Sequence, residues 1–370
     1  MVPAIHVLLA GGGTAGHVEP ALATADALVE LTQSHGFDCE ITMLGTADGL
    51  EARLVPQRGY HLEYIEKVSL PRKPSLDFLT LGPRLRSSVK KVEQVISSRS
   101  IDVVVGFGGY VSVPAYLAAR QAKLPIVIHE ANVHPGYANR LGARISEHVA
   151  TGLPGTKLAH AHVVGMPLRK AISELNRDAM QAQAREYFGL DDRPVILAFG
   201  GSLGAARITS AMLGAQGSYG SAGIQVLLSA GVKGYAQARA QADSGVVSVV
   251  EYIDRMDLAY SVADLVVGRS GAMTCAEVSA VGLPSVLVPL PIGNGEQKWN
   301  AESLTTAGAA LVIDDASFTA SAVRQRIVPL MKDSQRIATM GAAAATLGRR
   351  RADQVFARFI LDVVLPGGAA

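Results

Sequence analysis

Cysteine is scarce: Cys39 and Cys275 are the only two, far apart and in no metal-binding or redox spacing. That excludes a disulfide scaffold, implies a reducing compartment and reads both as buried thiols. Charge of one sign is lacking too, since 34 Lys and Arg against 32 Asp and Glu leave +2, so nothing global demands a nucleic-acid partner. Mean hydropathy is +0.25, yet no apolar run approaches the ~18 residues of a spanning helix. Met1–Ala10 has no basic segment and runs straight into a glycine loop, so it reads as a strand and not a signal peptide. No His, Cys and carboxylate cluster has metal spacing and no D-x-D stands at a strand end, so no metal is required. Without a G-x-S-x-G elbow or a Walker lysine, hydrolase and kinase readings weaken.

Glycine is abundant instead, at 38 of 370 residues, but it has no three-residue period and stands beside only 17 Pro, which rules out collagen. With 49% hydrophobic residues the chain is far from disordered, and its length favours two domains. Ten short apolar runs read as buried strands: residues 5–10, 41–45, 103–106, 126–129, 195–199, 226–228, 246–250, 265–268, 285–288 and 310–313. Alternating with Ala- and Leu-rich helical stretches, they predict doubly wound α/β architecture with parallel sheets. A Pro- and Gly-rich break falls in residues 151–170, and the opening IHVLLAGGGTAGHVEPALATADAL is echoed by VILAFGGSLGAARITSAML from Val195. Two Rossmann-like halves are expected, 1–164 joined by a C-terminal helix 349–370 and 165–348, with the ligand in the cleft between them.

Gly11, Gly13 and Gly16 satisfy G-x-G-x-x-G, but the strand at 41–44 ends in Gly45-Thr46-Ala47 with no acid placed for a ribose, which weakens a dinucleotide reading. Three loops, Gly11–Gly16, Gly106–Gly109 and Gly200–Gly204, each follow a strand and open a helix, where free N–H groups suit a diphosphate. Close strand–helix packing would explain any one of them equally well. His17, at the start of a helix, either accepts a proton from a sugar hydroxyl or merely caps the helix. His129 and Asn132 are expected at the cleft, where loop-fixing hydrogen bonds are the alternative role. In GRSGAMTCAE, residues 268–277, Glu277 lies inside a helix whose N-terminus could face phosphate while the acid holds ribose hydroxyls. Residues 67–91 carry seven basic residues against one acid, a local net of +6 interleaved with Leu70, Leu76, Phe78, Leu79 and Leu81. This composition suits anionic lipid, although Leu85, Val89, Val92 and Ile96 repeat at helical spacing and read as core. Arg349–Arg351 read as a solvated start to the last helix.

The segments GGGTAGHVEPALA, GFGGYVSVPA, HEAN, GMPLR, GGSLGAARI, RSGAMTCAE, GLPSVLVP and QKWNA resemble, in order and spacing, the MurG family of peptidoglycan glycosyltransferases over nearly the whole chain. The resemblance implies a GT-B-type fold and transfer of N-acetylglucosamine from UDP-N-acetylglucosamine to lipid I, undecaprenyl-pyrophosphoryl-N-acetylmuramyl-pentapeptide, forming lipid II without a cofactor. It places Thr14, Ala15 and Gly16 near donor sugar and phosphates, Asn132 on the donor sugar, Arg169 and Ser202 near the diphosphate, and Ile253 on uracil. Ala272, Met273, Thr274, Cys275, Ala276 and Glu277 match the segment around uridine, with Glu277 on the ribose, and Gln297 matches a sugar-hydroxyl contact. Ala131, Met166 and Glu296 depart from the family's usual Gln, Asn, and Gln or His. The family approaches the membrane with its first domain, which assigns Arg72, Lys73, Leu76, Phe78, Leu79 and Arg84 to an anionic surface and the enzyme to the cytoplasmic face as a peripheral protein, with cell-wall synthesis proteins as further partners. A related UDP-N-acetylglucosamine 2-epimerase or another UDP-sugar transferase is the neighbouring alternative.

Overall fold

The computed structural model describes residues 4–68, 77–201, 204–292 and 295–365. Ser202, Arg72, Lys73 and Leu76 lie outside them. The chain forms two compact units, Met1–Arg169 with Arg351–Ala370, and Lys170–Arg350.

The first unit holds a seven-stranded sheet of β1 (Ala4–Gly11), β2 (Asp38–Gly45), β3 (His61–Tyr64), β4 (Val103–Gly108), β5 (Ile126–Glu130), β6 (His148–Thr151) and β7 (Ala161–Val163). Their order is 3-2-1-4-5-6-7 and every pairing is parallel. Helices α1 (Ala15–Ser34), α2 (Glu51–Gln57), α3 (Asp77–Ser98), α4 (Ser112–Ala122) and α5 (Tyr137–Gly142) connect them. Strand alternation sends Val7 and Leu9 to one face, where they meet Val18, Leu22 and Ala25 of α1. Leu8 and Ala10 point the other way, onto Val89, Val92 and Ile96 of α3 and Ala115 of α4. With both faces covered, the strands must be apolar throughout, which is why β1 and β4 read as continuous hydrophobic runs. On α3 the same periodicity leaves Arg86, Lys90 and Lys91 exposed.

The last helix, Ala352–Val364, joins this unit by burying Phe356, Ala357, Ile360 and Leu361 in the α1 face of the sheet. Fully burying each large side chain contributes about 1.5–3 kcal/mol. The arginines before it are not simply solvated as expected. Arg350 donates from Nε to the Ala280 carbonyl in the last turn of the helix Ala272–Val281 at 2.7 Å, and from Nη1 to the Leu175 carbonyl in the link before the helix Arg177–Phe188 at 2.8 Å.

The second unit is a six-stranded parallel sheet of β8 (Val195–Phe199), β9 (Gln225–Ser229), β10 (Val247–Val250), β11 (Leu265–Gly268), β12 (Ser285–Leu287) and β13 (Ala310–Val312), in the order 10-9-8-11-12-13. Ile196, Ala198, Val226 and Leu228 pack with Ile208 and Met212 of the helix Ala206–Gly214. In each sheet the strand order reverses once about its central pair, β1 and β4 in the first unit and β8 and β11 in the second. Ligands of open α/β sheets bind beyond the carboxyl ends of strands at such switch points.

Candidate functional site

At the first switch point, the loops after β1 and β4 meet around His17. Thr14 is the N-cap of α1, and its Oγ1 lies 3.1 Å from His17 Nδ1, which also reaches the Gly12 carbonyl at 3.3 Å. A carbonyl only accepts, so the Gly12 contact forms in the tautomer whose Nδ1 carries the proton and whose Nε2 keeps its lone pair, with the Thr14 hydroxyl as a second acceptor. Burial holds the imidazole below its ordinary range, against the upward pull of Glu130, the Gly12 carbonyl and Glu51. Gly108 and Gly109 have φ of +98° and +82°, and a Cβ on Gly108 would stand 3.2 Å from His17 Nε2. These glycines therefore seat an imidazole.

In each of the first two glycine loops one amide is already taken by a side chain of the protein. Glu51, fully buried, accepts Gly13 N–H at 2.9 Å through Oε2, and Thr46 N–H at 2.8 Å and the Thr46 hydroxyl at 3.0 Å through Oε1. Gly108 N–H donates to Ser112 Oγ at 3.0 Å. A carboxylate in the first loop repels a diphosphate. A second buried acid, Glu130, accepts Asn132 N–H at 2.9 Å and Nδ2 at 3.3 Å through Oε1, then Gly136 N–H at 3.0 Å and Asn139 Nδ2 at 2.9 Å through Oε2. Asn132 is thus fixed by its neighbour Glu130. Sequence reasoning passed over both acids, although HEAN contained one and the glycines crowded about Glu51 were a signal for the other.

His129 is a core residue instead of a cleft residue. It is fully buried, its Nε2 lies 2.9 Å from the Gly165 carbonyl, and its ring meets Phe356 edge-on at 4.9 Å. Burial pushes it down to about 4. Thr14 is exposed and Ala15 and Gly16 half-buried, all at the start of α1. Arg169 lies in the first unit, its Nε 3.8 Å from Glu19 Oε2 of α1. Phe78 and Leu79 fall in the first turn of α3. Arg84 is not a spare cation for lipid: it donates to Glu66 at 2.6 Å and to the Lys67 carbonyl at 2.7 Å.

The second switch point brings the glycine loop after β8 to the end of β11, where Gly271 caps the helix Ala272–Val281. Met273, Thr274 and Ala276 are half-buried on it, while Ala272, Cys275 and Glu277 are buried. The Tyr260 hydroxyl donates to Glu277 Oε2 at 2.8 Å and fixes that carboxylate. Burial pushes the Cys275 thiol up to about 12, so it is no nucleophile. Ile253 is buried just past β10. Gln297 accepts Leu290 N–H at 2.9 Å through Oε1 and so holds the loop after β12. Charge here is opposite to that of the first loop: Arg207 and Arg269 share Asp315, at 2.9 Å and 2.6 Å.

Residues 7–151 match the glycosyltransferase family 28 N-terminal domain and residues 195–356 its C-terminal domain. With its two parallel Rossmann-like sheets, the protein is therefore a glycosyltransferase of the GT-B type. A UDP-N-acetylglucosamine–N-acetylmuramyl-(pentapeptide) pyrophosphoryl-undecaprenol N-acetylglucosamine transferase from Nocardioides sp. is 50% identical over 368 residues, covering 99% of this chain and 100% of that protein. The crystal structure of Acinetobacter baumannii MurG matches with a TM-score of 0.76 at 30% identity, covering 97% of this chain and 99% of that one. The chain belongs to this family, the MurG transferases. A UDP-GlcNAc 2-epimerase from Neisseria meningitidis shares the fold alone, with a TM-score of 0.68 at 14% identity over 97% and 100% of the two chains.

Proposed function

We propose that this enzyme transfers N-acetylglucosamine from UDP-N-acetylglucosamine to the 4-hydroxyl of lipid I, forming lipid II with inversion. The observation that carries the reading is half identity, end to end, with a relative named for transfer between those two substrates. The muramyl hydroxyl oxygen bonds to the anomeric carbon as the bond to the UDP oxygen breaks. The hydroxyl proton passes to His17 Nε2, and UDP leaves with the electron pair. A ring held neutral by burial, with Nε2 unprotonated, is in the form a base needs.

The charges divide the work. Glu51 fills the first glycine loop, so the diphosphate belongs with the second unit, where Ser202, the amides opening the helix Ala272–Val281 and the arginines around Asp315 favour an anion. Glu277, oriented by Tyr260, takes the ribose hydroxyls, Ile253 lies against uracil, and Gln297 meets a sugar hydroxyl. Asn132, and Thr14 to Gly16, contact the donor sugar from the first unit, and Arg169 lies near the diphosphate.

Residues 70–79 and the exposed Arg86, Lys90 and Lys91 of α3 rest on an anionic membrane surface at the cytoplasmic face, joined by proteins of cell-wall synthesis. Among the described residues no helix is long and apolar enough to cross a membrane. The test is UDP release from UDP-N-acetylglucosamine with and without a lipid I analogue. Release that depends on the analogue is expected; equal rates in both arms would contradict the assignment.

A further inference from the structure

The mechanism leaves Glu51 unused, yet this acid is fully buried, accepts three hydrogen bonds from Gly13 and Thr46, and among the described residues is paired with no base. Burying a carboxylate is costly, and a neutral residue would fill the space without that cost. The geometry offers a reason for the charge. Gly12 and Gly13 share one trans peptide unit, in which N–H and C=O point in opposite directions. Its N–H side donates to Glu51 Oε2 at 2.9 Å, and its carbonyl side receives His17 Nδ1 at 3.3 Å. The peptide is pinned from behind, because Glu51 Oε1 is tied to Thr46 in the loop after β2. A Cβ on Gly12 would lie 2.8 Å from Glu51 Oε1, and one on Gly45 or Gly49 would collide with the same side chain, so three glycines make room for it.

We propose that Glu51 is a positioning residue acting on His17 through the Gly12–Gly13 peptide: the carboxylate draws in the Gly13 N–H, which aims and polarises the Gly12 carbonyl at Nδ1 and leaves Nε2 as the proton acceptor. The relay is a carboxylate–histidine pair with a peptide group inserted between its members, and hydrogen bonds in such a chain strengthen one another. The catalytic consequence rests on the reading of His17 as base; the positioning does not.

In Glu51→Gln, the amide keeps the shape but meets Gly13 N–H with a donor or loses its acceptor to Thr46. Histidine-selective 15N spectra read the tautomer and titration of His17 in both proteins, and steady-state kinetics read the reaction. Besides Glu51 on α2, the charged group facing His17 is Glu130 on β5, unchanged in the variant. The expected result is a His17 tautomer mixture in place of a single Nδ1–H form, and titration at lower pH than in the parent. Kinetically, kcat falls about tenfold or more, donor KM stays within about twofold, and the acid limb of the pH profile moves down with the titration. A purely structural role would lower the melting temperature and leave tautomer and limb in place, and that result overturns the proposal. A shifted tautomer with unchanged kcat upholds the relay and removes His17 as the base. Should Glu51→Gln fail to fold, Thr46→Val removes one donor to Oε1 without altering charge. It should shift the same signals in the same direction by less, and an unshifted His17 there overturns the relay.

Discussion

His17 and Glu277 carry separable duties and so predict separable defects. His17→Ala should lose about 10²–10⁴ in kcat, the range of a general base, with donor KM little changed; stopped or continuous UDP assays decide, and a loss under about tenfold removes the role. Glu277→Ala should instead raise donor KM about 10- to 100-fold, the value of a charge-assisted hydrogen bond, and an unchanged KM contradicts the ribose contact. His17 was visible in the sequence because it stands beside a glycine loop. Glu51 was not read from it, because a lone carboxylate on a short helix reads as solvent-facing, and its burial depends on the distant Gly12 as well as on the nearby Gly45 and Gly49. The same distance in sequence hid the reason for Gly108 and Gly109, whose absent side chains make the seat for an imidazole that arrives from α1.

Among elements, the ten continuous apolar runs all became strands, since burial on both faces of a parallel sheet demands that pattern. Three strands were missed. β3 (HLEY) and β7 (AHV) are edge strands with exposed or half-buried side chains, and β6 (HVAT) is a short mixed run, so none carries a continuous apolar signal. The C-terminal helix was foreseen, but its anchor was not: Phe356 lies between Phe107, at 5.8 Å, and His129. Phe356→Ala should cost about 3–5 kcal/mol, read as a lowered urea midpoint. His129 gives the same contact a pH dependence. Its unfolded value is 6.5 and its folded value about 4, so below 6.5 the unfolded chain takes up a proton that the native core refuses. Stability should be complete above pH 6.5 and decline by on the order of 3 kcal/mol toward pH 4. His129→Gln, which retains a donor and cannot titrate there, should flatten that slope in urea titrations; an identical slope would assign the acid sensitivity elsewhere.

At the scale of the whole molecule, the net +2 conceals unlike regions. Buried acids surround His17, two arginines flank Asp315 in the second unit, and exposed cations line α3. For vesicles containing anionic lipid, Lys90→Ala with Lys91→Ala should weaken binding by about 2 kcal/mol, roughly thirtyfold, at about 1 kcal/mol per cation. Arg84→Ala should matter less, because Glu66 already neutralises that side chain; equal losses from both variants in a sedimentation assay would refute the distinction. The proposed reaction is sugar transfer to a lipid-linked muramyl acceptor with inversion. Its most direct measurement uses UDP-N-acetylglucosamine labelled in the sugar, a lipid I analogue and the full-length protein, with NMR of the purified lipid product. The expected product carries the label in a disaccharide lipid joined at the muramyl 4-oxygen, with the anomeric configuration opposite to the donor's. Retained configuration, or label found only in free sugar or an epimerised UDP-sugar, would contradict it.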